Sequence, residues 1–114
     1  GSPIRDFVHA RDVARGMMYM VENEVSEPVN LGSGTGVTIK QIVDIIVGNV
    51  NKNVSVEWDS TKPTGDKKRI LDMSRAKSHG FETKISIEDG IRETINWFSE
   101  NKEKIEQRYN VFRR

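Results

Sequence analysis

The sequence predicts a small α/β domain that mixes short strands with about four helices. Three stretches carry apolar residues at helical spacing, and short apolar runs bounded by glycine, proline or asparagine lie between them. The length of 114 residues suits one small domain. Hydrophobic residues make up 35% of the chain and charged residues 31%, which is polar for a self-sufficient core. Either the core is thin or part of one face is covered by something else.

The composition argues against several classes of function. Lysine and arginine number 18 and acidic residues 17, so no net charge draws the chain toward nucleic acid or a membrane surface. The absence of cysteine excludes disulfides and thiolate chemistry, and two histidines far apart in sequence argue against a zinc site. No apolar run reaches membrane length and no signal peptide is visible, so we expect a cytoplasmic protein.

The first segment is predicted to pass from a proline turn into a strand and then a helix. The strand is placed at residues 6–9 and the helix at 12–23, with Asp12 as the cap, or Ala10–Arg11 if the helix begins earlier. Apolar side chains recur along this helix at helical spacing and are predicted to fill the core: Val13, Met17, Met20 and Val21.

Two side chains in this first segment are candidates for function. Arg5 lies at the edge of the predicted strand, where a guanidinium can either face solvent or clamp a phosphate with two parallel hydrogen bonds. His9 has the pKa range of a general acid or base, but no nucleophile or carboxylate lies near it at a recognisable spacing. We therefore interpret His9 as structural and leave both interpretations of Arg5 open.

A strand, a glycine turn and a helix follow, at residues 28–31, 32–36 and 38–50. The order resembles a dinucleotide fingerprint, which requires glycine at its first, third and sixth positions. Here these positions hold Gly32, Gly34 and Val37. We therefore interpret the turn as a packing turn that leads into a helix, and we expect no cofactor contact from it.

The helix over 38–50 has a complete capping signal. Thr38 is the predicted N-cap, and Gln41 completes a capping box. Its broad apolar stripe predicts a well-buried helix, which Gly48 and the polar run at 51–53 end. The alternation over 54–58 then predicts a half-buried strand, with Trp58 in the core or stacked on a ligand base.

A basic turn occupies residues 59–68. Pro63 and Gly65 set the turn, and three consecutive basic residues follow at 67–69 before a brief predicted strand at 70–72. Such a triplet is an anion cradle, an ordinary exposed loop or part of a nucleic-acid patch. The nucleic-acid interpretation lacks interleaved aromatic residues and a wider basic face.

The last third of the chain is predicted to be helical. Ser74 is predicted to cap a short helix over 75–79 that Gly80 ends, and Ser86 opens a longer helix. The buried face of this longer helix is predicted to contain Ile87, Ile91, Thr94, Ile95, Trp97 and Phe98. We place one domain at residues 1–101 and a charged helical or frayed tail at 102–114, anchored by Ile105, Tyr109 and Phe112.

Several strings, in order and spacing, resemble the extended short-chain dehydrogenase/reductases, the nucleotide-sugar epimerases, dehydratases and reductases. The resemblance covers residues 1 to about 101 and is carried by Pro3–Ala14, Pro28–Gly34, Lys62–Asp72, Ser74–Gly80 and Asn96–Phe98. The third of these strings is most similar to the GDP-L-fucose synthase branch. The resemblance implies the C-terminal substrate domain of a two-domain Rossmann-type enzyme, with the Rossmann domain absent from this chain.

The resemblance also implies a set of substrate-binding residues. Arg5 and Arg69 would neutralise the diphosphate of a nucleotide sugar, with Lys68 as the second basic candidate after Arg69. The pair Gly65–Asp66 would touch the nucleoside, so Asp66 joins the set. Many relatives carry arginine where this chain has Lys62, which offers no fork for bidentate binding.

The catalytic residues of the resembled family are not present in this sequence. The family uses Tyr-x-x-x-Lys, but Tyr19 is followed four residues later by Asn23, and Tyr109 by Arg113. We therefore expect no catalytic residue here. The implied parent is an NADP-dependent, homodimeric GDP-4-keto-6-deoxymannose epimerase/reductase whose missing N-terminal domain binds NADP. The alternative is a free-standing, non-catalytic α/β module that binds a partner through an exposed apolar face around Met17, Met18 and Met20.

Overall fold

The computed structural model describes residues 1–50, 53–63 and 65–106, with the side chains of 105 and 106 left out. It confirms the predicted α/β class with four helices and adds a sheet of three short strands. The elements are β1 (Ile4–Asp6), α1 (Ala10–Glu22), β2 (Gly36–Thr38), α2 (Ile39–Asn49), β3 (Lys68–Arg69), α3 (Ser74–Ser78) and α4 (Ile87–Glu106).

Strand β1 is the centre of the sheet. It pairs antiparallel with β2, and Arg5 lies opposite Val37 in that pair. On its other side it pairs parallel with β3, where Arg5 lies opposite Arg69. Hydrogen bonds beyond the strands extend both pairings: the Ile4 amide donates to the Lys67 carbonyl at 2.9 Å, and the Ile39 amide donates to the Pro3 carbonyl at 3.0 Å.

The strand positions differ from the sequence predictions. The first strand lies at Ile4–Asp6 rather than 6–9, and the last at Lys68–Arg69 rather than 70–72. Gly36–Thr38, predicted as the end of a turn and a cap, forms β2. The reason is that pairing partners far apart in sequence select the paired residues, whereas a local apolar pattern marks only an approximate position.

Two predicted strands are wrong. Residues 28–31 and 54–58 have no strand assignment, and neither segment pairs with a strand within the part of the chain that the structure describes. The side chain predicted to be core, Trp58, is 46% exposed, and its ring lies close to Gly1. Alternation alone does not make a strand, since a strand needs a neighbour to satisfy its amides and carbonyls.

The helix starts show where the capping predictions hold. Thr38 and Gln41 form the predicted capping box of α2. Asp12 is not the cap of α1, because the helix begins earlier and His9 caps it: His9 Nδ1 accepts from the Arg11 amide at 3.2 Å. Ser74 is inside α3 instead of capping it, and the Asp72 carboxylate accepts from the Ser74 amide at 2.9 Å.

The buried core lies between α1, α3 and the segment after α3. It consists of Met20, Met73, Ala76 and Phe81, with Tyr19, Val25, Val29 and Leu31 packed against it. Glycine at position 16 permits this packing, because a β-carbon there would lie 2.8 Å from Leu31 Cδ2. The absence of a side chain at this position therefore lets α1 approach Leu31 closely.

Much of the predicted core is exposed. Met17 and Val21 are 61% and 75% exposed, so the predicted core role holds for Met20 and is wrong for these two side chains. Met18, on the same helix, is 60% exposed. Helix α2 packs against α4, but no residue of α2 is fully buried, contrary to the prediction of a well-buried helix. Trp97 and Phe98 of α4 are about half exposed. Amphipathic spacing identifies an apolar face but not what covers it.

Helix α4 runs through the predicted boundary at residue 101 and reaches Glu106. The division into a domain at 1–101 and a tail at 102–114 stays a prediction. Several predictions fall outside the described residues or side chains. They concern the tail anchors at 105, 109 and 112, residues 51–52 of the predicted helix-ending run, and Thr64 of the basic turn.

Candidate functional site

Two arginines are brought together by the register of the central strand. Arg5 of β1 and Arg69 of β3 are direct partners in a parallel pair. Neighbouring strands lie about 4.8 Å apart, and partners in register project from the same face of the sheet. Two guanidinium groups that are 64 positions apart in sequence therefore extend from one face. We call Arg5 and Arg69 the basic pair.

The glycine turn before β3 approaches the basic pair. Gly65 has a positive φ of 66°, and a β-carbon there would lie 3.9 Å from Arg5 Nη2. The next residue, Asp66, accepts a hydrogen bond from Arg69 Nη2 at 2.8 Å. Arg5 Nη1 donates to the carbonyl of Ile4 at 2.8 Å. The structure thus gathers Arg5, Asp66 and Arg69, three of the four predicted site residues, around one turn.

Lys68, the fourth predicted site residue, lies apart from this group. It is the partner of Ile4 in the parallel pair, so it belongs to the opposite face from Arg5 and Arg69. Its side chain is exposed. Alternation along the strand separates two adjacent basic residues, which makes Arg69 the better candidate for an anion contact on the face of Arg5.

Asp6 fixes the position of the central strand. Its Oδ1 accepts from the amide and hydroxyl of Ser33 at 2.8 and 2.6 Å, and its Oδ2 accepts from the amides of Gly34 and Leu71 at 3.0 and 3.2 Å. Burial raises the pKa of Asp6, but these hydrogen bonds more than offset that effect and hold the pKa below its ordinary value of 3.8. The carboxylate next to Arg5 thereby anchors β1 to two loops.

The glycine turn at 32–36 uses its amides for this anchor. The amides of Ser33 and Gly34, which a phosphate-binding loop would direct at its ligand, donate to Asp6. A β-carbon at Gly32 would lie 2.8 Å from Leu71 Cδ1, so this glycine serves close packing. These residues do not fit a dinucleotide, and the interpretation of the segment as a packing turn agrees with its hydrogen bonds.

Asp12 is a second structural carboxylate that the sequence analysis did not identify. Its side chain is 2% exposed and accepts from the amides of Lys84 and Ile85 at 3.0 and 2.9 Å and from Arg15 Nη2 at 2.8 Å. Burial raises its pKa, but the hydrogen bonds from Ile85, Arg15 and Lys84 outweigh burial and lower the pKa below 3.8. No local pattern signals this role, because two of the partners lie more than 70 residues away.

A cleft lies beside the sheet. Its volume is about 350 Å³ and its lining includes Phe7, Ser33, Val37 and Ile85. Val37 is the antiparallel partner of Arg5, so it belongs to the same sheet face as the basic pair. A ligand held at the basic pair would have this cleft as a neighbouring space.

Other candidate chemistry is accounted for by structure. Tyr19 packs against Phe81 with ring centroids 5.8 Å apart, and its hydroxyl donates to the His79 carbonyl at 2.9 Å. His79 Nε2 lies 2.9 Å from a carboxylate oxygen of Glu27. In the described ranges, no group of three or more His, Cys, Asp or Glu side chains is placed to hold a metal ion. No helix in the same ranges is long and apolar enough to cross a membrane.

Comparison with known proteins relates the chain to one protein family. A family model described as GDP-mannose 4,6 dehydratase matches residues 1–94. A putative GDP-L-fucose synthase of Arabidopsis thaliana is 37% identical over 102 residues, which cover 89% of this chain and 31% of that protein. The chain thus spans about a third of the length of this relative.

Solved structures agree with this assignment. An epimerase from Methanothermobacter thermautotrophicus superimposes with a TM-score of 0.81 at 27% identity, over 94% of this chain and 33% of the other. The Bordetella bronchiseptica enzyme WbmF, solved in complex with NAD+ and UDP, superimposes with a TM-score of 0.76 at 28% identity, over 94% of this chain and 32% of the other. These likenesses support the predicted resemblance to the Rossmann-type epimerase and dehydratase enzymes.

Proposed function

Because the chain belongs to the family described as GDP-mannose 4,6 dehydratase, we propose that it is the substrate-recognition part of a nucleotide-sugar epimerase/reductase resembling GDP-L-fucose synthase. One observation carries the proposal: the parallel register of β1 and β3 makes Arg5 and Arg69 direct partners on one sheet face. Each guanidinium can bind one phosphate of a nucleoside diphosphate through two parallel hydrogen bonds.

In this proposal the chain binds and orients the substrate. Arg5 and Arg69 neutralise the diphosphate, the turn at Gly65–Asp66 contacts the nucleoside, and the sugar projects toward the cleft beside Val37. The chemistry of the complete enzyme is a hydride transfer to or from NADP, which is bound outside this chain. These residues contribute by positioning the substrate. Holding the sugar in one orientation reduces the entropy that the sugar and the cofactor must lose in the chemical step.

The test replaces each arginine in the complete enzyme. Arg5→Ala and Arg69→Ala should each weaken binding of the nucleotide-sugar substrate by about ten- to a hundred-fold, because each removes charge-assisted hydrogen bonds worth about 1.5–3 kcal/mol. Titration calorimetry with the substrate measures the change. Lys40→Ala is the matched control, since it removes a positive charge from the exposed pair that Lys40 forms with Asp44 on α2. Unchanged affinity in both arginine variants would refute the proposal.

A second candidate function is a non-catalytic binding module. The observation that favours it is the exposure of Met17, Met18 and Val21 on α1. Flexible methionine side chains on an exposed face suit protein partners of varied shape. Met20, which the sequence analysis included in this face, is buried and does not contribute to it.

A further inference from the structure

The second arginine of the basic pair already has an anionic partner. Asp66 and Arg69 form an ion pair of 2.8 Å across the turn that leads into β3. Their side chains are 62% and 74% exposed, so the pair is open to solvent and to ligands. Arg5 differs, because the described contact of its guanidinium is with a neutral backbone carbonyl.

A carboxylate and a phosphate compete for the same donors. The planar fork of a guanidinium binds either group through parallel N–H···O bonds, so an oxygen of Asp66 on Nη2 of Arg69 occupies a position that a phosphate oxygen would take. An exposed ion pair is worth about 0.2–1 kcal/mol, which is small enough for a dianionic ligand to displace.

We propose that Asp66 is an intramolecular counterion that an incoming diphosphate must displace from Arg69, and that it thereby lowers and tunes the affinity of the site for phosphates. The inference rests on the proposed function, because it assigns a role to a neighbour of the basic pair. In this proposal Arg5 has no carboxylate of the described residues to release before it binds a phosphate, whereas Arg69 must first release Asp66. Removing the carboxylate should raise phosphate affinity by about 1.5- to 5-fold, which is the value of an exposed pair expressed as a ratio.

Inorganic pyrophosphate is the suitable probe, because it carries two linked phosphates and no nucleoside that Asp66 could contact directly. Binding is followed by NMR through the side-chain guanidinium and backbone amide signals of Arg5 and Arg69, at constant ionic strength, since both interactions are screened by salt. The proteins are the wild-type chain, Asp66→Asn, Arg69→Ala and the double variant. Dispersed amide signals in each variant show that it is folded.

Asp44→Asn is the matched control. Asp44 forms a similarly exposed pair with Lys40, at 2.6 Å and with 58% and 64% exposure, on a helix that does not carry the basic pair. Asp44→Asn changes the net charge by the same amount as Asp66→Asn. We expect Asp66→Asn to tighten pyrophosphate binding by about 1.5- to 5-fold and Asp44→Asn to leave it nearly unchanged. In the Arg69→Ala background, Asp66→Asn should bring no gain, as in a double-mutant cycle between contacting residues.

The outcomes separate this inference from the function on which it rests. If Arg69→Ala weakens pyrophosphate binding while Asp66→Asn leaves it unchanged or weakens it, the counterion role is wrong and the proposed function stands. A gain from Asp66→Asn that persists without Arg69 also overturns the counterion role. If pyrophosphate perturbs neither arginine in the wild-type chain, the counterion role is refuted, and the proposed function is then decided by the substrate affinity of Arg5→Ala and Arg69→Ala in the complete enzyme.

Discussion

At the scale of single residues, two carboxylates organise the first segment of the chain. Asp6 holds the turn at Ser33–Gly34 and the amide of Leu71, and Asp12 holds the amides of Lys84 and Ile85. Each replaces water as the acceptor for backbone amides that no strand or helix satisfies. Both carboxylates have a structural role, whereas Arg5 faces the ligand in our proposal.

The role of Asp12 predicts a loss of stability on its removal. Asp12→Ala should lower the free energy of unfolding by about 3 kcal/mol near neutral pH, because it leaves the amides of Lys84 and Ile85 without their acceptor and removes the ion pair with Arg15. Urea unfolding measures the change. Asp44→Ala is the control, since this exposed residue should change stability by no more than about 0.5 kcal/mol.

The same carboxylate predicts how stability depends on pH. Since the pKa of folded Asp12 lies below that of the unfolded chain, its contribution is present above the unfolded-state pKa and is lost as pH falls through the folded-state pKa. Acidification below about pH 4 should therefore destabilise the wild-type chain more than Asp12→Ala. The variant should still lose some stability in acid, because Asp6 also has a lowered pKa. Equal acid sensitivity of the two proteins would contradict this.

At the scale of elements, the helix ends carry the clearest local signals. The capping box of Thr38 and Gln41 sets the start of α2, and Gly80, with a φ of 87°, follows the end of α3. Ser86 accepts from the Asp89 amide at 3.0 Å where α4 begins. These signals act within a few residues of the chain, which is why they are visible in the sequence.

Two glycines with different environments should respond in opposite ways to alanine. Gly48→Ala in α2 should raise the free energy of unfolding by about 0.5–1 kcal/mol, because no atom lies within 4 Å of the new β-carbon and alanine favours helix. Gly80→Ala should lower it by about 1–2 kcal/mol, because its φ is left-handed. Its β-carbon would also lie 2.9 Å from Tyr19 Oη, which bonds the His79 carbonyl.

Urea unfolding of the two variants checks this pair of predictions. The two substitutions are chemically identical, so differences in side-chain hydrophobicity cancel in the comparison. If Gly80→Ala were as stable as the wild-type chain, the left-handed conformation and the close approach of Tyr19 would have no energetic consequence.

At the scale of the whole molecule, the small core and the exposed apolar side chains belong together. Four hydrophobic residues form the buried core, whereas eleven large hydrophobic side chains in the described part are exposed, among them Met17, Met18, Trp97 and Phe98. Contiguous exposed apolar surface marks sites of interaction, and Met17, Met18 and Val21 lie within about one turn of α1. It fits both a chain that spans about a third of its relatives and a module that binds a partner.

The exposed face of α1 predicts a contrast between neighbouring methionines. Replacing Met17 and Met18 by glutamine should change the free energy of unfolding by no more than about 0.5 kcal/mol each, because they are 61% and 60% exposed. Met20→Ala should cost about 2–5 kcal/mol, since it opens a cavity in the core. Urea unfolding measures both. A large loss from the two exposed positions would contradict the observed packing.

The glutamine variants of Met17 and Met18 also distinguish the substrate-recognition role from the binding module. Analytical ultracentrifugation measures whether the chain self-associates. Self-association of the chain that disappears when Met17 and Met18 become glutamine, together with no response to pyrophosphate, would favour the binding module. A monomeric chain whose arginines respond to pyrophosphate would favour the substrate-recognition role.

The sequence by itself determined the fold class, the number and approximate positions of the helices and the family resemblance. These follow from local information: apolar spacing over one or two turns, caps, helix-ending glycines and ordered motifs. It also identified Arg5, Asp66, Lys68 and Arg69 as candidate site residues through the resemblance. Their role as ligand contacts stays a prediction.

Only the tertiary structure decided which residues pair and which faces are covered. Three features depend on partners 27 to 73 positions away in the sequence. They are the register that joins Arg5 to Arg69, the placement of Lys68 on the opposite face, and the hydrogen bonds of Asp6 and Asp12. The predicted strands at 28–31 and 54–58 failed for the same reason, since an apolar alternation does not specify a neighbour. Pairing and burial are relations between distant segments, and local patterns do not encode which segments meet.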